Sequence, residues 1–549
     1  MKFNFWTASG CSFIEAVLES DDHRIGEREE GSGVELKLQT ALLFFDYEVK
    51  NIHPDLLGLL CMVNFYPFIG RKVTFPMAVS PRLRDAFQTP LFLKKKPIEF
   101  KNVDSTLPCY EGEKLGLAFG GGIDSSAVRV MFPEAFLIHE AHIRNGERLT
   151  SPTIDVVERI AAVGGGKVVW TNQRYVSIPG GWHTWPASAG TSLLLATDQS
   201  LGAILTGSNL GSSFLGNGRG YWNRHYARKW HGPSGNFWQS TFWAIGIPMF
   251  SPVSGLSEIL NYKISMNHLD STEISYCTLE DGRACGVCTK CFRRDLIRQF
   301  LRPEEAIDWS PYHNDAVLRL INERPLYFGH IFSTVKSINH LPTWIHQALD
   351  DMPTIDWTLR YDSEMFDFCP PDFHEMMEDR VKSFVEPMTT DDIQQLKSWN
   401  QMEEKEIEEE TIVPELDSDS DADYKEDSIY DRIASLVSGV PEEKPIVKKR
   451  EGEPEEDEPE EDESPKTMLE VYRLRIGDFP QAKEMLSALR RLKKKRRSWN
   501  FYEYASNSGV NPRYSVLTGI IKSKERAEIH ANRIEETTGW TVELVIEYH

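Results

Sequence analysis

The stretch Leu117-Ala-Phe-Gly-Gly-Gly-Ile-Asp-Ser-Ser126 decides the fold of the region around it. It contains the end of a short apolar segment, Lys114–Phe119, which predicts a strand, and it continues into a helix that we expect to start near Ser125. Glycines let a backbone approach a phosphate closely, and the first N–H groups of a helix point toward an anion. The stretch therefore predicts a phosphate-binding turn.

Polar side chains at the start of this helix strengthen the prediction. Ser125 and Ser126 place hydroxyls where phosphate oxygens would lie, and Asp124 can hold Mg²⁺ or an amide of the loop. The stretch lacks the Lys-Ser/Thr ending of the ordinary P-loop, which argues against a kinase or a GTPase. The alternative is a Gly-rich turn with a purely structural role.

The segments that follow alternate between strands and helices. Ser151-Pro152 predicts the start of a helix, and Gly164–Gly166 predicts its end. A second helix is expected over Pro186–Ser200. The predicted strands are Ala135–His139, Lys167–Trp170 and Ala203–Thr206. This alternation predicts an α/β fold, a parallel sheet with helices on both faces, whose ligands bind beyond the carboxyl ends of the strands.

The Gly-rich turn resembles the Ser-Gly-Gly-x-Asp-Ser signature of the PP-loop, or N-type, ATP pyrophosphatases, also called adenine nucleotide α-hydrolases. Gly121, Gly122, Asp124 and Ser125 match that signature residue by residue, whereas Gly120 stands where the family usually has Ser. The resemblance covers about residues 110–300 and implies a HUP-like core that binds ATP and Mg²⁺. It implies that the loop, Ser126 included, holds the pyrophosphate and that Asp124 and Ser125 are catalytic.

Two later segments resemble further parts of these enzymes. The turn after the fourth strand, Leu205-Thr-Gly-Ser-Asn-Leu-Gly211, is similar to an element that closes over the nucleotide, which makes Gly207, Ser208 and Asn209 candidate binding residues. A turn at a strand end explains the same residues without a ligand. The segment Pro248–Lys263 resembles the family's proline turn and following helix, and implies that Lys263 faces the phosphates.

Four of the eight cysteines are clustered. Cys277, Cys285, Cys288 and Cys291 lie within fifteen residues, and this spacing predicts four thiolates around one metal ion. The Cys-Gly-x-Cys-x-x-Cys run, followed by arginines, resembles the zinc site of the 7-cyano-7-deazaguanine synthases, which are PP-loop enzymes. An iron–sulfur cluster is the competing interpretation. His139 is expected to be a packed histidine.

Charge is distributed unevenly along the chain. The net charge of −22 arises mainly in residues 401–466, which hold 26 acidic and 8 basic residues. Such a segment buries too little apolar surface to fold, so we predict an acidic disordered linker there. Residues 467–549 are basic, with 15 Lys and Arg against 10 acids.

The remaining chain divides into further predicted domains. Residues 1–110 are expected to form an N-terminal α+β accessory domain, 111–300 the ATP-binding domain with its metal site, and 301–400 a helical extension. The β-α-β-β-α-β pattern of residues 467–549 predicts a ferredoxin-like domain. Its run Arg490–Arg497, followed by aromatic residues, is a possible nucleic-acid surface; a cationic helix end or a clasp for the acidic linker are the alternatives.

The resemblance implies an ATP-dependent ligase that releases AMP and pyrophosphate and adenylates a small carboxylate or carbonyl oxygen for attack by a nitrogen nucleophile. The alternatives are a PP-loop enzyme that modifies nucleic acid, for example by thiolation, and a catalytically inactive nucleotide-sensing component of a larger assembly. Neither a signal peptide nor a membrane segment is evident, so we expect a cytoplasmic protein with no membrane partner. The oligomeric state is open.

Overall fold

The structure of this chain is a computed structural model. It describes residues 1–27, 33–88, 97–144, 146–216, 218–221, 238–275, 277 and 284–401, and, near the C-terminus, 470–479, 501–506, 513–518, 524, 527–528, 531–532, 534–535 and 540–548. The chain forms two compact units, Met1–Glu442 and Glu443–His549.

A nine-stranded sheet forms the centre of the first unit. Its strands are β1 (Lys2–Ala8), β2 (Cys11–Val17), β5 (Thr40–Phe45), β8 (Lys114–Ala118), β9 (Phe136–Arg144), β10 (Glu147–Arg148), β11 (Gly166–Thr171), β13 (Leu201–Leu205) and β14 (Met249–Phe250). The order across the sheet is β1-β2-β5-β11-β9-β8-β13-β14, with β10 paired to β9. The five strands from β11 to β14 are parallel, and β5, β2 and β1 continue the sheet in antiparallel fashion.

Numbered along the chain, the five parallel strands lie in the order 3-2-1-4-5, so β8 is central and the direction of winding reverses between β8 and β13. An open sheet of this kind binds its ligands in the crevice at that reversal, outside the carboxyl ends of the strands. The turns after β8 and β13 are therefore the two that border the crevice.

Helices cover the sheet. Their bounds are α1 (Pro54–Phe65), α2 (Pro81–Ala86), α3 (Ile123–Met131), α4 (Pro152–Ala161), α5 (Gly190–Gln199), α6 (Leu210–Phe214), α7 (Trp238–Ala244), α8 (Glu258–His268), α9 (Thr289–Leu301), α10 (Asp315–Asn322), α11 (Gly329–Val335), α12 (Thr343–Leu349), α13 (Pro371–Lys382) and α14 (Thr390–Ser398). Leu137 and Ile138 are neighbours on β9 but belong to two different apolar clusters. Since successive side chains of a strand point to opposite faces, both faces are covered.

The mixed α/β class and the mainly parallel sheet predicted around the Gly-rich turn are confirmed, and α4 begins after its cap Ser151 as expected. β5 pairs with β11, the outermost of the five parallel strands on that side, and β2 and β1 follow in the same sheet. The boundary predicted near residue 110 therefore falls inside one continuous sheet. The continuous apolar run Ala41–Phe45 of β5 is typical of a buried strand, but its partner on β11 lies about 125 residues away and leaves no local signal.

Two small sheets accompany the large one. The first contains β3 (Ile25–Glu27), β4 (Gly33–Leu36) and β12 (Ser177–Ile178), and the second contains β6 (Lys72–Val73) and β7 (Glu99–Phe100). Helices α10 to α14 follow the metal-site region. The apolar side chains of α10, α11, α12 and α14 pack with those of α9 in one cluster that includes Trp309, Trp357 and Trp399, whereas those of α13 pack in the cluster that contains Leu137. None of the described helices combines the length and the apolar character that crossing a membrane requires.

The second unit contains a four-stranded antiparallel sheet. Its strands are β15 (Glu470–Phe479), β16 (Phe501–Ser506), β17 (Arg513–Thr518) and β18 (Val542–Tyr548), in the order β16-β17-β15-β18. These are the four strands expected in this region. The acidic linker and the basic run Arg490–Arg497 lie outside the described residues, so their predictions stay open.

Candidate functional site

The Gly-rich turn leaves β8 at Ala118 and enters α3. Gly121 has φ +72, and a Cβ built on it would lie 2.0 Å from the Thr153 hydroxyl oxygen, so both backbone conformation and space require glycine. Gly122 is the N-cap of α3, and no side chain caps the helix there. The first N–H groups of α3 consequently face a position that an anion suits.

The second Gly-rich turn contacts the first. A Cβ on Gly207 would lie 2.7 Å from the backbone nitrogen of Ser125, so only glycine permits this approach. The side chain of Asn209 caps α6 by accepting from Ser212 N at 3.1 Å. The two turns predicted from separate stretches of sequence therefore meet at the reversal point of the sheet.

Asp124 ties three segments together. Its Oδ1 accepts from Asn209 Nδ2 at 3.0 Å and from Asn261 Nδ2, on α8, at 2.6 Å. Burial raises the pKa of Asp124, and the nearby Glu258 carboxylate raises it further. The two amide donors favour the ionised form and offset part of that shift. This carboxylate thus acts as the junction between the first turn, the second turn and α8.

Several buried polar atoms around the turn have no hydrogen-bond partner in the described part of the chain. They include the hydroxyl oxygens of Ser126, Thr153 and Thr206 and Oδ1 of Asn261. Ser126 follows the Gly-rich turn, Thr153 contacts Gly121, and Thr206 begins the second turn. Buried hydroxyls normally find a partner, so this concentration favours the turn as a candidate binding site.

Two arginines of α9 connect this helix to α8 and to the segment that hydrogen-bonds to the Gly-rich turn. Arg293 forms a two-pronged contact with Glu258 of α8, with distances of 2.9 and 3.4 Å. Burial opposes ionisation of Glu258, but Arg293 and Arg294 outweigh it and hold the pKa of this carboxyl below its usual range. Arg294 donates to the carbonyl of Ser275 at 2.6 Å, and Ser275 N–H donates to the carbonyl of Gly121 at 2.7 Å.

The four clustered cysteines converge. Their sulfur atoms all lie within 4.8 Å of one another, with 3.6 Å between Cys277 and Cys288 and 3.8 Å between Cys285 and Cys291. Four thiolates bound to one zinc at about 2.3 Å would be separated by about 3.8 Å. The cluster can therefore hold a metal ion such as zinc, as the spacing predicted.

This cluster begins the helix that reaches the Gly-rich turn. Cys288 is the N-cap of α9, and its Sγ accepts from Cys291 N at 3.4 Å. Arg293 and Arg294 lie on the second turn of the same helix. A metal held by these cysteines would fix the start of α9 and, through the two arginines, the position of α8 and of the Gly-rich turn.

The structure places the other predicted residues as follows: Lys263 lies away from the Gly-rich turn, and Ser208 and Gly120 lie in the two turns. Lys263 is exposed and lines a surface cavity with Asp356 and Lys382, whereas Asn261, two residues earlier on α8, is the residue that reaches Asp124. The Ser208 hydroxyl bonds to the hydroxyls of Ser212 and Ser213 at 3.1 and 3.2 Å. Gly120 has no atom within 4 Å of a Cβ built on it, so space for a side chain exists there.

Sequence reasoning missed Thr153 and Asn261, and it associated Arg294 only with the cysteine run. Their positions gave little signal, since each lies on a helix remote in sequence from the Gly-rich turn. His139 is buried as expected, and its ring also supports the turn, because Nδ1 donates to the Phe119 carbonyl at 2.8 Å. Burial lowers the pKa of His139, which keeps it in the neutral form that this hydrogen bond uses.

Comparisons with known proteins give little functional information. Residues 237–400 match the model of a family of unknown function, DUF6395, a range that includes the cysteine cluster and excludes the Gly-rich turn. A search of curated proteins found no significant match. Among solved structures, the chain is similar to the peptidoglycan binding domain of the B. subtilis cell wall lytic enzyme CwlC, at 19% identity over 16% of this chain and 98% of that domain, with a TM-score of 0.12.

Proposed function

We propose that the crevice between the two Gly-rich turns binds ATP and that the parallel sheet around it is a HUP-like core of the PP-loop type. The observation that carries the proposal is the junction at Asp124, which joins both turns to α8 at the reversal point of the sheet. A phosphate at this place would meet the uncapped N-terminus of α3 and the unpartnered hydroxyls of Ser126 and Thr153.

Within this site the residues take separate roles. The amides of Gly120, Gly121 and Gly122 and the hydroxyls of Ser125 and Ser126 would hold the pyrophosphate. Asn209 and Asn261 both donate to one oxygen of Asp124, which supports a role for Asp124 in holding the loop. Mg²⁺ bound with ATP would neutralise phosphate charge.

The reaction that such a site supports is adenylation. Pyrophosphate held at the start of α3 becomes the leaving group, and a small carboxylate or carbonyl oxygen attacks the α-phosphate. The adenylate then reacts with a nitrogen nucleophile and AMP is released. We therefore propose an AMP- and pyrophosphate-forming ligase.

Zinc is the metal we propose for the cysteine cluster. The sulfur separations fit a tetrahedron around a single ion, whereas a cluster of several irons would hold its thiolates further apart. Four cysteines leave no open position on the ion, so its role is structural. For the second unit, the strand order supports the ferredoxin-like fold.

Calorimetric titration of the full chain with MgATP tests the nucleotide site. We expect binding that Asp124→Ala and Ser125→Ala weaken at least about tenfold, since each loses contacts to a charged ligand or to the turn. Thermal unfolding of both variants checks the fold. Unchanged affinity in both variants would refute the assignment of the site.

A further inference from the structure

A second group of polar side chains lies on the part of β9 that extends past β8 and after the carboxyl end of β11. β9 continues past Ile138, the partner of Ala118, which is the last residue of β8. The extension therefore projects beyond the central strand, next to the Gly-rich turn. The His139 ring joins the two regions through its hydrogen bond to Phe119, the residue before the first glycine.

Glu140 is the central acid of this group. Its side chain is 8% exposed and accepts from Trp182 Nε1 at 3.3 Å and from Thr191 Oγ1 at 3.1 Å. Burial raises the pKa of Glu140 to about 7, although the two hydrogen bonds and the charge of Arg174 oppose the rise. This carboxyl can therefore exchange a proton near neutral pH.

Arg174 supplies the positive charge of this group. It follows β11, and its guanidinium carbon lies 4.5 Å from the centre of the Trp182 ring. Its side chain forms no ion pair within the described chain, and its Nε is buried without a hydrogen-bond partner. Gly181 N–H donates to the Arg174 carbonyl at 2.7 Å, which fastens the turn that carries Trp182 beside the arginine.

The two charges are close enough to interact electrostatically but do not form an ion pair with each other. Nδ1 of His142, 3.7 Å from Glu140 Oε1, is a further buried polar atom without a hydrogen-bond partner in the described residues. An uncommitted guanidinium and a buried carboxylate form a matching pair for a ligand that carries the two opposite charges.

We propose that Arg174 and Glu140 form the acceptor site of the reaction and bind a small zwitterion with a carboxylate and a primary amine, as an α-amino acid has. The inference rests on the proposed function, which requires a nitrogen nucleophile. Arg174 holds the carboxylate through two parallel hydrogen bonds, and Trp182 covers the site.

Glu140 prepares the amine for attack. The ammonium group gives one proton to the Glu140 carboxylate and becomes a neutral amine. Its lone pair forms a bond to the carbonyl carbon of the acyl adenylate, the bond from that carbon to the AMP oxygen breaks, and the electron pair leaves with AMP. The nitrogen loses its second proton to solvent, and Glu140 returns its proton to solvent, so atoms and charges balance.

Calorimetric titration of the full chain with each of the twenty common amino acids, without ATP, tests the site. We expect at least one to bind with a Kd of about 1 mM or below. Arg174→Gln and Glu140→Gln should each weaken that binding at least about tenfold, because each removes a charge that the zwitterion meets. The matched control is Arg319→Gln, since Arg319 is an exposed residue of α10 paired with Glu323.

Binding that both variants weaken, with cooperative thermal unfolding retained in each and normal binding by the control, supports the site. Absence of binding by all twenty, or binding that Arg174→Gln leaves intact, overturns it. Because ATP is absent, this result is independent of AMP formation. Asp124→Ala should retain amino-acid binding. The experiment can therefore refute the amino-acid site without refuting the nucleotide site, and the nucleotide site can be refuted without affecting this result.

Discussion

The cysteine cluster and the nucleotide crevice differ in how their residues are distributed along the chain. All four cysteines lie within Cys277–Cys291, and their spacing alone predicted the convergence that the structure shows. The crevice combines the Gly-rich turn with Thr153, Asn209 and Asn261, which come from three remote segments. Local spacing thus reveals a site built by one segment and only part of a site built by the fold.

The largest effect is expected at the cysteine cluster. Cys288→Ser removes a thiolate but keeps an oxygen that can cap α9, so the chain should lose its metal and, with it, about 4 kcal/mol or more of unfolding free energy. Metal analysis and denaturant unfolding measure the two losses. Cys109→Ser, which alters an isolated thiol, should keep the metal and change stability by less than about 1 kcal/mol. Full metal content in the Cys288 variant would contradict the assignment.

The next effect is a difference in ATP affinity between variants of two adjacent glycines, Gly121 and Gly120. Gly121→Ala places a Cβ against Thr153 in a left-handed backbone conformation, which costs about 1–2 kcal/mol before any clash. We expect ATP affinity to fall at least about 100-fold, because the turn must shift to accommodate the Cβ. Gly120→Ser meets no atom, restores the hydroxyl of the family signature, and should bind ATP at least as tightly as the natural chain. Equal losses in both variants would show that the turn does not bind the nucleotide.

A smaller effect is expected at the amides that hold Asp124. Asn209→Ala and Asn261→Ala each remove one donor to this carboxylate, and a hydrogen bond to a charged group contributes about 1.5–3 kcal/mol. Each should reduce kcat/KM for AMP formation about 10- to 100-fold. Asn267→Ala, on the exposed side of the same helix, is the control. An effect no larger than that of the control would show that the hydrogen bonds to Asp124 do not contribute to AMP formation.

The last effect concerns pH. Since the pKa of Glu140 is raised to about 7 in the folded chain, its contribution to stability is complete below the ordinary glutamate range and is lost as pH rises toward 7 and above. The groups that face it are His142, Arg174, Trp182 and Thr191. Glu140→Gln should remove up to about 3 kcal/mol of this pH dependence, measured as Tm between pH 5 and 8. Identical slopes in both proteins would exclude the raised pKa.

The sequence allowed the alternating core to be predicted because each strand and helix there carries its own signal. The strand after β8, the cap Ser151 and both Gly-rich turns all lie in local patterns. The joining of β5 to β11 could not be predicted, since pairing depends on surfaces that form only in the folded chain. The resemblance implies that Lys263 faces the phosphates, but Asn261 is the residue of this helix that contacts Asp124, because a helix pattern does not show which face meets a remote turn.

The fate of ATP on the full chain tests the account most directly. ³¹P NMR of MgATP incubated with the protein, a set of small carboxylates and the twenty amino acids identifies which phosphate bond breaks. The account predicts AMP and pyrophosphate in equal amounts, with no ADP, and no products from the Gly121→Ala variant. Formation of ADP and phosphate by the natural chain, at a rate that Gly121→Ala does not change, would contradict it.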